Sequence, residues 1–133
     1  MAHSATPVIR SSRAASVLRM LQVASVLSVL NLAWQFVTAG GLLAGGAPES
    51  LHAAGAIALH VVTGIVALAA IAWFRPFGGP LWPAVVAVLV FAASFVQAAY
   101  GARDSLAIHV PGAMVLTVGA VWITAWSFAQ GRN

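Results

Sequence analysis

Four apolar stretches occupy most of this chain, and only short breaks separate them. The first runs from Val17 to Leu43, the second from about Glu49 to Phe74, the third from about Leu81 to Tyr100. The fourth extends from the Asp104–Ser105 region, a natural N-cap, to about Phe128. Crossing a bilayer core takes about 20 residues in a helix, so each stretch predicts one transmembrane helix. The breaks are glycine and proline clusters: Gly40-Gly41 with Gly45-Gly46-Ala47-Pro48, Phe77-Gly78-Gly79-Pro80 after Arg75-Pro76, and Gly101-Ala102-Arg103-Asp104. Such short connections force neighbouring helices to run antiparallel. Hydrophobic residues make up 62% of the chain and charged residues 6%, against about a quarter charged in a soluble domain. Lipid is therefore the expected solvent. The predicted fold is an all-α membrane protein, a four-transmembrane-helix up-down bundle made of two similar hairpins. Residues 1–16 read as a flexible cytoplasmic leader, 17–129 as the transmembrane domain and 130–133 as a cytoplasmic tail. A cleaved secretory signal is the rival reading of the first stretch, but the run is too long and holds the internal amides Asn31 and Gln35.

Charge sets the expected orientation. The net charge of +4 comes from six arginines against Glu49 and Asp104, with no lysine. The arginines form no basic face with interleaved aromatics, so no nucleic-acid partner is expected. Four crossings place Arg10, Arg13, Arg19, Arg75 and Arg132 on one side and Arg103 on the other. The positive-inside rule then puts both termini in the cytoplasm of a multi-pass inner (plasma) membrane protein. Glu49 and Asp104 fall at the outer N-terminal ends of helices two and four, where the helix dipole favours negative charge. Trp73, Trp82 and Trp126 fall near the inner interface.

Within this frame one pattern occurs twice. Leu51-His52-Ala53-Ala54-Gly55-Ala56-Ile57-Ala58-Leu59 and Ile108-His109-Val110-Pro111-Gly112-Ala113-Met114-Val115-Leu116 both read apolar-His-x-x-Gly-Ala-x-x-Leu. Residues three and four apart share a helix face, so His, Gly and Leu form one stripe in each copy. Two like hairpins would set helices two and four diagonally, with His52 and His109 facing each other at similar depth. His52 is expected about three residues into its helix and His109 about five into its own, a depth difference of about 3 Å. Neutral imidazole ligates haem iron well, and Gly55 and Gly112 would leave room for a macrocycle. The chain has no cysteine, which excludes thiolate metal sites and covalent haem attachment. The expected cofactor is haem b, with His52 and His109 as axial ligands and Arg103 as a partner for a propionate. Against this stands a plainer reading, in which the histidines are interfacial and the Gly-Ala pairs serve close helix packing.

His60 lies eight residues after His52, about 12 Å deeper. It either replaces His52 as ligand or bonds an amide on another helix, with Asn31, Gln35 and Gln97 available. Gln35 precedes Gly40 much as Gln97 precedes Gly101, and both glutamines are candidates for the cofactor's surroundings. Asn31 and Gln35 are one turn apart and expected to face inward. Pro111 removes one backbone hydrogen bond beside His109.

The segments "LHAAGAIALH" and "VQAAYGARDSLAIHVPGAMVLTVGA" resemble the half-domains of haem A synthase. The same plan also resembles a family of small four-helix integral membrane proteins. The likeness covers roughly Asn31 to Ala125. It implies a four-helix bundle in which a glutamine-and-glycine helix leads to a haem-ligating histidine on helices two and four, here His52 and His109. This chain holds one such bundle where the synthase has two, and Ala53 where the synthase often has arginine. What the resemblance implies is therefore haem binding, not haem A synthesis.

The expected function is that of a small b-type haem-binding protein serving electron transfer or haem handling, a redox carrier more than a stand-alone enzyme. Its expected partners are the lipid bilayer, a quinone or membrane redox partner, and further copies of itself or a larger complex. A cofactor-free structural or accessory subunit of a membrane complex is the alternative, favoured by the abundance of alanine and glycine. A transporter finds less support, because no embedded carboxylate or arginine pair marks a pathway. Ser, His and Asp occur in no hydrolytic arrangement.

Overall fold

The computed structural model describes the backbone of residues 7–101 and 105–130, with side chains from residue 12 onward. Four helices make up the described chain: α1 Pro7–Leu43, α2 Glu49–Phe77, α3 Trp82–Ala99 and α4 Leu106–Gln130. All four are long and apolar enough to cross a membrane. The protein is thus an all-helical, multi-pass membrane protein. Each helix packs against its neighbours in the chain, and α4 closes the ring against α1. Among the described residues, α2 and α4 make no close backbone approach, nor do α1 and α3. Those two pairs are the diagonals of the bundle, as the paired-hairpin reading expects.

Side-chain size decides which face of each helix points inward. Ala69 is 0% exposed beside Leu68 at 68%, and Ala120 is 3% exposed beside Val121 at 46%. In lipid there is no hydrophobic penalty for an outward leucine, and small inward residues let backbones approach. The interior is therefore rich in alanine and hydroxyl residues, among them Ala24, Ser25, Ser28, Thr63, Ala87, Ser94, Ala120 and Ser127. The hydroxyls donate to carbonyls of their own helix: Ser28 to Ala24, Thr63 to Leu59, and Ser127 to Thr124. Self-bonding of this kind lets polar residues sit in an apolar core without a cross-helix partner.

Several boundaries differ from the sequence expectation. Helix α1 already runs from Pro7, where a flexible leader through residue 16 was expected. That expectation rested on polarity, which reports the solvent rather than the backbone, and proline suits the first turn of a helix. Helix α2 continues through Arg75 and Pro76 to Phe77. Its stop is Gly78 at φ 70°, a left-handed turn that glycine adopts without strain. Gly45, at φ 75°, turns the α1–α2 connection, where the Gly46 and Ala47 amides both donate to the Gly41 carbonyl. Helix α4 runs through Pro111 to Gln130. Far from the histidines, Trp82 stacks on Trp122 at 5.0 Å and meets Trp126 edge-on at 5.4 Å.

Candidate functional site: the paired histidines

His52 and His109 each lie three residues after the first residue of their helix, Glu49 and Leu106. Their depths therefore match more closely than the sequence suggested, because α4 starts later than the Asp104–Ser105 cap. Across the diagonal the two imidazoles come together, with ring centroids 6.3 Å apart and planes inclined at 63°. Both rings are partly buried.

Hydrogen bonds determine which nitrogen of each ring is free. His109 Nδ1 lies 3.0 Å from the Gln97 carbonyl oxygen. A carbonyl only accepts, so Nδ1 carries the proton, which in the neutral ring leaves Nε2 with a bare lone pair. The carbonyl is available because Gln97 is in the last turn of α3, where helical carbonyls lose their i+4 donors. His52 Nδ1 lies 3.0 Å from Thr38 Oγ1. The Thr38 hydroxyl donates to the Trp34 and Gln35 carbonyls, both at 3.1 Å, so it accepts from His52. Both rings are thereby held with Nε2 unprotonated and without a protein partner among the described residues. This is the second-sphere arrangement typical of metal-ligating histidine.

The amides lie where the glycines make space. A Cβ on Gly55 would stand 2.8 Å from Gln35 Nε2 and 3.1 Å from Trp34 Cδ1. At Gly112 a Cβ would run into the Gln97 amide. Gln35 and Gln97 thus each lie against the glycine one turn deeper than a histidine, in matching positions of the two hairpins. Gln35 Nε2 donates to the His52 carbonyl at 3.2 Å. Gln35 Oε1, Gln97 Oε1 and Asn31 Oδ1 are buried with no partner. Buried oxygens in that state are rare and call for a donor or a cation.

Comparison of the chain with protein-family models, curated proteins and solved structures finds no match. The site must be read from its own geometry. Among the described residues no group of three or more His, Cys, Asp or Glu side chains gathers at one point. A metal held here would rest on two imidazoles. With metal–nitrogen bonds of about 2.0 Å and a ring nitrogen about 1.1 Å from its centroid, two trans imidazoles on one ion stand about 6.2 Å apart. The ring centroids stand 6.3 Å apart, a span that one ion bridges when the two Nε2 atoms turn toward each other. The 63° inclination is no obstacle, since trans imidazoles can rotate about the common metal–nitrogen axis.

His60 is elsewhere. Its Nδ1 lies 2.8 Å from Ser94 Oγ, and its ring stacks on Phe95 with centroids 4.1 Å apart. The expected amide partner is thus replaced by a hydroxyl on α3. Arg103, the expected propionate partner, lies outside the described residues, as does Asp104. Thr38 was missed in the sequence. Its signal is its place one turn after Gln35, on the same face of α1. Ser94 carries no comparable signal.

Proposed function

We propose that the protein is a small integral membrane b-type haem-binding protein, with His52 and His109 as axial ligands, serving electron transfer or haem handling. The observation that carries this reading is the diagonal pair of imidazoles at ligation distance, both with Nε2 free. Bound there, haem supplies a one-electron iron couple. Thr38 and the Gln97 carbonyl hold the two rings in the ligating tautomer. Gln35 and Gln97 occupy the seats beside Gly55 and Gly112, so their side chains must swing toward the edge of a macrocycle. Each amide carries an unpartnered oxygen. The resemblance to haem A synthase half-domains supports the same ligand pair. The arginine distribution supports cytoplasmic termini in the inner (plasma) membrane, with the histidines toward the outer face. A quinone or membrane redox partner would exchange electrons there.

The amides packed on the glycines favour a second reading, a cofactor-free accessory subunit whose polar cluster binds helices together. An absorbance spectrum separates the two. Protein expressed with ample haem and purified in mild detergent should show a low-spin iron with a sharp reduced α-band. His52→Ala or His109→Ala should give a high-spin or haem-free protein. A folded, colourless wild type would leave the accessory-subunit reading.

A further inference from the structure

The gap between His52 and His109 can be filled without displacing Gln35 or Gln97. A porphyrin needs a slot several ångströms wide in every in-plane direction, and the amides stand in that region. A bare ion needs only the space between two nitrogens. The 6.3 Å ring separation suits a single first-row ion in line with both Nε2 atoms, and imidazole is a good ligand for copper and zinc. The unpartnered oxygens of Gln35 and Gln97 are neutral donors one turn deeper.

Charge selects among the ions. Imidazole ligates a metal in its neutral form, and the Gln35 and Gln97 amides beside the pair carry no charge. Glu49, the one carboxylate among the described residues, lies a turn before His52 and is exposed. With only that exposed carboxylate to offset it, a divalent ion is less well compensated there than a monovalent one. Cuprous copper is the monovalent first-row ion that is satisfied by two ligands in line, and it prefers nitrogen or sulfur donors to carboxylate. We infer that the haem-free protein binds one cuprous ion between His52 Nε2 and His109 Nε2. The ion and haem compete for the same two nitrogens, yet the copper site does not rest on the haem reading. It requires that both Nε2 atoms be bare and turned toward each other across the 6.3 Å between the ring centroids.

The test uses the full chain, purified haem-free in detergent. Cu(I), generated anaerobically with ascorbate, is titrated in competition with the chromophoric chelator bicinchoninate. The protein should withdraw one Cu(I) per chain. His52→Ala and His109→Ala should each weaken uptake by about 100-fold or more, the scale on which metal sites respond to lost support. His60→Leu should leave it unchanged. Circular dichroism checks that each variant keeps its helicity. Should an alanine variant unfold, X-ray absorption on the copper-loaded wild type decides the matter, with two nitrogen neighbours and no sulfur as the expected result. Failure to draw copper from the chelator would overturn the inference. So would equal uptake by either alanine variant, a sulfur-ligated copper, or zinc(II) held as tightly as Cu(I). Haem titration of the same preparation is a separate measurement. Copper uptake without haem uptake would sink the haem reading alone, and the converse would sink the copper site alone.

Discussion

The proton on Nδ1 of His52 and of His109 makes Nε2 a lone-pair donor, so the groups that hold those protons matter as much as the rings. At His109 the holder is a backbone carbonyl, which no substitution removes. At His52 it is the Thr38 hydroxyl, which can be replaced. Thr38→Val keeps the shape and removes the acceptor, freeing His52 to adopt the opposite tautomer. Haem affinity should fall about 10- to 100-fold, measured by titration of the haem-free variant, while helicity stays unchanged. His60 offers the contrasting case. Its bond to Ser94 and its stacking on Phe95 belong to the α2–α3 contact. Ser94 would still donate to the Phe91 carbonyl at 2.6 Å in its absence. His60→Leu should therefore cost about 1 kcal/mol of stability, read from thermal unfolding in detergent, and leave any haem spectrum intact. Loss of the spectrum from a well-folded His60→Leu protein would make His60 an axial ligand.

Along each helix, the side that packs is marked by small size more than by apolarity. Ala87 on α3 is 1% exposed, whereas Leu89 on the same helix is 62% exposed. Adding bulk at the first position forces α3 away from its neighbours. Ala87→Leu should destabilise the bundle by about 1–3 kcal/mol. Leu89→Ala removes more apolar surface but only from the lipid face, so it should change thermal stability much less. Similar effects from the two variants would mean that the helix faces are assigned wrongly. Gly119 follows the same rule, because a Cβ there would stand 2.7 Å from Val90 Cγ2. Helix α1 is a further case at this scale. Its 37 residues span about 55 Å, well beyond a bilayer core of about 30 Å, so one end projects past the membrane.

For the whole molecule, four crossings return the chain to the side on which it started, and the proposed cytoplasmic side is the one richer in arginine. A reporter fused after Asn133 should read as cytoplasmic, and a tag between Gly45 and Glu49 should be accessible from outside. The same experiment bears on the site, because the Gly45 turn and the histidines lie at one end of the bundle. Termini found on opposite sides would remove a crossing and dissolve the pairing of the two hairpins.

Helix number, membrane crossing and the pairing of His52 with His109 were legible in the sequence, because each follows from a local property. Apolar length sets the crossings, glycine and proline set the turns, and a repeated spacing places two imidazoles on like stripes. The inward-facing Asn31 and Gln35 were legible for the same reason. Helix ends were less so, since Pro7 and Pro76 are tolerated where end-turn geometry and a left-handed Gly78 permit. The other contacts between helices were not legible. That Thr38 holds His52, that Gln97 supplies a carbonyl to His109, and that Ser94 takes His60 depends on rotation and depth of packed helices. The use of the glycines belongs to the same class. Gly55 and Gly112 predict space one turn from each histidine, but only the packed bundle decides that glutamine amides from α1 and α3 fill it. A gap in one helix is a local property, and what enters it is a property of its neighbours.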